Sequence, residues 1–183
     1  MTQFENERGL LRRGVISKRP SNDPAIKRFI PKRLLLQWHI TDRCNLNCSH
    51  CYQSGIAYEP PMRDLMTVLD QYIEALEKMG VRGHINITGG EPLARIDFFE
   101  LAEIIREHRE KISFAVLTNG TLIDDEKAGM LKKLGVSFVQ VSIEGGRKTN
   151  DTIRGNGTFE RVMESVRLLK RCGIRTLVSF TAH

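Results

Sequence analysis

The sequence predicts an α/β fold built on a parallel sheet. Two observations point there. Five short apolar, partly β-branched segments alternate with amphipathic helical segments after residue 33. Three helical segments also end on one signature: Met79-Gly80-Val81, Leu134-Gly135-Val136 and Cys172-Gly173-Ile174. In each, a glycine takes the left-handed position that stops a helix, and a β-branched residue opens the next connection. Such alternation implies right-handed βα crossovers, hence a barrel-like or a doubly wound sheet.

The strand segments are Leu34–Thr41, His84–Thr88, Ile112–Leu117, Phe138–Ile143 and Thr176–Phe180. Between them, Leu65, Leu69, Tyr72, Ile73, Leu76 and Met79 share one helical face after the Pro60-Pro61 start signal. Phe98, Leu101, Ala102 and Ile105 form a second stripe; Leu131 and Leu134 mark a third helix, with Asp124 as its N-cap. Phe159, Val162, Met163, Val166 and Leu169 mark a fourth, with Thr158 in the capping position. Gly155-Asn156-Gly157 lacks the spacing of a dinucleotide loop and reads as a turn feeding that helix. In parallel sheets ligands gather at the carboxyl ends of the strands. There the chain carries Cys44 to Cys51, Gly89-Gly90-Glu91-Pro92, Asn119-Gly120 and Glu144-Gly145-Gly146.

Of 183 residues, 40% are hydrophobic and 27% charged, an ordinary globular balance. The net charge of +6 is uneven: residues 1–33 hold nine basic and three acidic side chains, while the rest holds 19 of each sign. A basic arm over 1–33 followed by a neutral body over 34–183 is therefore expected, and the body has no nucleic-acid-binding composition. The longest aliphatic run, Leu34-Leu35-Leu36, spans no membrane. The opening residues Met1 to Glu7 do not resemble a secretory signal, so a cytoplasmic protein is expected.

Three of the four cysteines, Cys44, Cys48 and Cys51, fall in a C-x3-C-x2-C loop; Cys172 stands alone and reads as a core thiol. Three thiolates this close suit three corners of an iron–sulfur cubane and leave one iron open, as reactive metal sites require. A structural zinc site completed by His39 or His50 is the alternative, although no second ligand pair follows at zinc spacing.

With its companion motifs, this loop resembles the radical S-adenosylmethionine (SAM) superfamily over residues 34–183. Cys44-x3-Cys48-x2-Cys51-Tyr52 follows the first strand, Gly89-Gly90-Glu91-Pro92 the second and Thr118-Asn119-Gly120 the third. Val141-Ser142-Ile143-Glu144-Gly145 with Asp151-Thr152-Ile153-Arg154-Gly155 is similar to the peptide- and protein-modifying subgroup that bears a SPASM extension, though Thr152 departs from its pattern.

The resemblance implies a partial (β/α)6 TIM-like barrel, here about five strands and four helices, incomplete at its C-terminal side. It implies a [4Fe–4S] cluster on Cys44, Cys48 and Cys51. It also implies an oxidoreductase that cleaves SAM to a 5′-deoxyadenosyl radical for hydrogen abstraction. The SAM contacts it implies are the backbone at Gly89 and Gly90, Glu91 toward the methionine ammonium, and Arg154 toward its carboxylate. Asn119 and Ser142 are added as polar contacts, and Tyr52 near adenine. No catalytic residue is assigned. The implied partners are SAM, a reductant such as flavodoxin or ferredoxin, and a peptide, protein or cofactor-precursor substrate. A non-catalytic iron–sulfur protein or a zinc-stabilised domain is the alternative.

Overall fold

Alternation of apolar and polar residues along each strand decides which side of the sheet is covered. The computed structural model describes residues 32–53 and 58–180, and the elements below belong to one unit, Arg33–His183. The expected basic arm, apart from Lys32 and Arg33, lies outside the described residues. The strands are β1 (Arg33–His39), β2 (Arg82–Thr88), β3 (Ile112–Thr118), β4 (Val139–Ser142) and β5 (Thr176–Ser179). They lie in the order β1-β2-β3-β4-β5, each neighbouring pair parallel. An order that never reverses rules out the doubly wound alternative. Right-handed crossovers between successive neighbours place the connecting helices on one side, forming the outer wall of a partial barrel.

The helices are α1 (Met62–Met79), α2 (Phe98–Glu107), α3 (Asp125–Leu134), α4 (Arg147–Arg154) and α5 (Thr158–Arg171), with a 3₁₀ turn over Pro92–Ala94. Strand residues Trp38, Ile85, Ile87, Phe114, Val116, Val139 and Val141 are buried against Leu65, Leu69, Leu76, Leu101, Ile105, Leu131, Val162 and Leu169 of the helices. The other face is mixed, with Leu35, Ala115, Leu117 and Leu177 among polar residues. It carries Gln37 in register with Asn86, His39 with Thr88, and Ser142 with Ser179. Barrel interiors are ordinarily filled by branched aliphatic residues, and at the carboxyl ends of the strands this face instead opens onto a cavity through Thr88, Leu117, Gln140 and Ser142.

The helix stops behave as the glycine signature requires: Gly80, Gly135 and Gly173 have φ of 65°, 70° and 67°. Asp124 caps α3, accepting from the backbone N–H of Lys127 at 2.7 Å. Four expectations need correction. Strand bounds shift by a residue or two at the ends. Met79, placed on the buried face of α1, is 46% exposed. Thr158 is not the cap of α5: Gly157 holds that position, and the Asp151 carboxylate accepts from the N–H groups of Gly157 (3.0 Å) and Phe159 (2.9 Å).

The fourth correction concerns helix number: the described residues hold five α-helices, not four. The addition, α4, buries only Asn150, so it leaves no apolar stripe in the sequence. Polar bonds hold it instead. Asn150 Oδ1 accepts from the backbone N–H of Glu144 at 3.1 Å, and its Nδ2 donates to Thr158 Oγ1 at 2.8 Å.

Tyr72 ties α1 to the sheet. Its hydroxyl donates to the Leu34 carbonyl at 2.8 Å and accepts from the His84 N–H at 3.0 Å. Tyr72→Phe leaves both buried groups without this partner and is expected to destabilise the fold by about 1–3 kcal/mol. Urea unfolding should show a lower midpoint at unchanged slope.

Candidate functional site

The C-x3-C-x2-C loop has no regular secondary structure of its own, so its shape depends on what holds it. Three neighbours do. Pairing between β1 and β2 continues beyond the strands: the Ile40 N–H donates to the Thr88 carbonyl (3.0 Å), Gly90 N–H to Thr41 (2.7 Å) and Glu91 N–H to Arg43 (2.8 Å). From the end of β3, Asn119 Nδ2 donates to Asn45 Oδ1 at 2.9 Å and approaches Cys44 Sγ at 3.8 Å; Asn45 in turn donates to Thr121 Oγ1 at 2.9 Å. From the far side, the Ser49 N–H donates to the Ile153 carbonyl of α4 at 2.9 Å.

The first of these anchors explains the two glycines. A Cβ on Gly89 would stand 2.2 Å from the Thr41 carbonyl oxygen, and one on Gly90 would stand 2.3 Å from that of Arg43. Gly89 also has φ +143°, a region that side chains disfavour. The resemblance assigns these glycines to close approach of a ligand. The space that a side chain would fill is instead occupied by the cysteine loop's backbone, while both residues still line the cavity.

Glu91 is fully buried and does not border the cavity. Its Oε1 accepts from Thr118 Oγ1 (2.7 Å) and the Leu93 N–H (3.0 Å), and its Oε2 from the Asn119 N–H (2.7 Å). Burial raises its pKa, and these hydrogen bonds oppose the rise. The carboxylate thus joins the second and third loops, rather than standing free toward a ligand.

A cavity of about 240 Å³ opens at the carboxyl ends of the strands, bordered by Cys44, Cys48 and Cys51 together with Gly89, Gly90 and Asn119. Tyr52, Ser142 and Arg154 border it too. So of the expected site residues only Glu91 stands back from it. All three cysteines are free thiols. Burial pushes the Cys44 and Cys48 thiols above the ordinary range; the other thiols add to it, as does Glu91 at Cys44 and Glu144 at Cys48, while Arg154 draws Cys48 down. Arg154 Nη2 meets Glu144 Oε1 at 2.5 Å with both side chains nearly buried, and Arg154 Nε has no hydrogen-bond partner. Among the described residues no three His, Cys, Asp or Glu side chains are gathered to hold a single metal ion. Nor is any helix long and apolar enough to cross a membrane.

Gln53, Thr88, Leu117, Thr118 and Gln140 also border the cavity without having been singled out from the sequence, and so does His50, weighed there as a zinc ligand. Two carried a usable signal: Gln140 precedes Ser142 by the strand period of two, and Thr88 ends β2 directly before Gly89. His39, weighed as a zinc ligand, ends β1 but does not border the cavity.

Residues 38–182 match the radical SAM superfamily, and the chain belongs to it. It is 36% identical over 159 residues to pre-heme d1 synthase of Dinoroseobacter shibae, covering 86% of this chain and 38% of that protein. Mycofactocin maturase MftC of Mycolicibacterium smegmatis is 35% identical over 149 residues, covering 80% of this chain and 37% of the maturase. The solved structure of native anSMEcpe with bound AdoMet and Cp18Cys peptide superposes with a TM-score of 0.66 at 28% identity, over 81% of this chain and 42% of that one. The chain thus spans about 38% of the length of the relatives it matches. The superfamily implies a [4Fe–4S] cluster and SAM. A donor set of three free thiols, beside a buried guanidinium nitrogen lacking a partner, fits both groups.

Gly90→Ala places a methyl group against the Arg43 carbonyl. The variant is expected to lose about 1–3 kcal/mol in urea unfolding. It should also show faster alkylation of Cys44 by iodoacetamide, followed by mass spectrometry.

Proposed function

We propose that this chain is the cluster- and SAM-binding core of a radical SAM enzyme acting on a peptide, protein or cofactor-precursor substrate. The observation that carries the reading is that the three free thiols of the C-x3-C-x2-C loop and Arg154 border one cavity at the carboxyl ends of the strands. Support for the substrate class comes from relatives named as a heme d1 precursor synthase and a mycofactocin maturase, and from the peptide bound by anSMEcpe.

Bound together, the cluster and SAM supply the electron transfer that opens the sulfonium and yields the 5′-deoxyadenosyl radical for hydrogen abstraction. In this reading Cys44, Cys48 and Cys51 hold the cluster as thiolates and leave one iron without a protein ligand. Arg154 offers its planar fork to the methionine carboxylate. Ser142 and Asn119 add polar contacts at the ends of their strands, Gly89 and Gly90 offer backbone groups, and Tyr52 lies at the adenine side. Glu91 acts from behind, fixing the Asn119 backbone. Exposure of Cys44 and Cys51 suits electron delivery from an external protein such as flavodoxin or ferredoxin.

The test is anaerobic reconstitution, followed by iron and sulfide analysis and by mass spectrometry of products after adding SAM and dithionite. A [4Fe–4S] cluster with 5′-deoxyadenosine formation is expected. A colourless protein with one zinc per chain, or a cluster that leaves SAM intact, would overturn the reading. Each of Cys44→Ala, Cys48→Ala and Cys51→Ala should lose the intact cluster. Arg154→Gln should keep iron and sulfide while weakening SAM binding by about 1.5–3 kcal/mol, the worth of a charged hydrogen bond. SAM titration monitored by electron paramagnetic resonance of the reduced cluster reads it.

A further inference from the structure

We propose that Glu144 is a positioning residue that sets the distance between the cysteine loop and the carboxylate-binding fork of Arg154; the inference rests on the radical SAM reading above. Glu144 follows β4 by two residues and its side chain is only 2% exposed. One oxygen, Oε1, meets Arg154 Nη2 at 2.5 Å and His50 Nε2 at 3.3 Å. His50 lies between Cys48 and Cys51, so a single buried carboxylate oxygen touches both the cysteine loop and the arginine. Two further bonds repeat the link: the Ser49 N–H donates to the Ile153 carbonyl beside Arg154, and the Glu144 N–H donates to the Asn150 side-chain Oδ1 within α4.

Burying an acid with a base gives little net stability, because both ions lose their water. What the pairing does provide is orientation. With Nη2 engaged by Glu144, the arginine is held where it borders the cavity. A ligand carboxylate bound by Arg154 would then meet a guanidinium held in a set place relative to the cysteine loop that would carry the cluster.

SAM affinity of the anaerobically reconstituted chain tests this, read by electron paramagnetic resonance of the reduced cluster, for wild type, Glu144→Gln, Arg154→Gln and the double variant. Glu144→Gln should retain iron and sulfide yet bind SAM about 10- to 100-fold more weakly, the usual effect of removing a group that orients a ligand-holding residue. In the Arg154→Gln background it should add no further loss, since both changes remove the same clamp. Asp124→Ala, at the remote α3 cap, should lower thermal stability without altering SAM affinity, which separates positioning from general destabilisation. If Glu144→Gln does not fold, Glu144→Asp keeps the charge on a shorter arm and should also weaken SAM binding. Unchanged affinity in the Glu144 variants, or losses that multiply in the double variant, overturn the inference alone. A wild-type chain that takes up no cluster or no SAM overturns the parent reading, and this inference with it.

Discussion

Everything at the carboxyl ends of the strands depends on one backbone approach. The chain after β1 lies so close to Gly89 and Gly90 that no side chain fits between them. Hydrogen bonds from Gly90 to Thr41 and from Glu91 to Arg43 extend the β1–β2 pairing to the edge of the cysteine loop. A loop without helix or strand of its own thereby inherits the rigidity of the sheet. The third and fourth loops then fasten to it through Asn119 and α4.

The charges are arranged to match. Glu91 and Glu144 are both buried, and they differ in their partners. Glu91 is held by neutral donors and acts as a strut between loops, whereas Glu144 faces a guanidinium. Burial, more than the neighbouring acids, pushes the Cys44 and Cys48 thiols above the ordinary range, with Arg154 opposing it at Cys48. Metal binding at such a loop must therefore displace protons, which couples its loading to pH and to the order of the loop.

The βα alternation was legible because each strand buries one face and each main helix one stripe, and those periods are written in the apolar residues. The three glycine stops were legible because only glycine takes the left-handed turn cheaply. The cysteine spacing and the glycine pair located the site. What escaped was held by polar bonds. Helix α4 has no apolar stripe, since Asn150, Asp151 and Thr158 sustain it. The true capping of α5 comes from Asp151, whose reach across a turn no local pattern encodes. Glu91 reads locally as a helix-start acid, and it does accept from Leu93 at the 3₁₀ turn. Its bonds to Thr118 and Asn119 come from the end of β3, 27 and 28 residues away in sequence, a relation that only folding creates.

The sheet's two faces divide their labour. The apolar core lies between the strands and the surrounding helices, built from residues such as Ile85, Phe114, Val116 and Val141. Gln37, His39, Asn86 and Gln140 lie on the opposite face and belong to no part of that core. Replacing a residue of this second set removes little buried apolar area, so it changes folding free energy little. Toward the carboxyl ends of the strands, where Thr88, Gln140 and Ser142 border the cavity, stability and molecular recognition are thus carried by alternate residues of the same strands. A lineage built on this scaffold is free to exchange one series while the other stays fixed, acquiring a new surface of contact without first having to find a new way to fold.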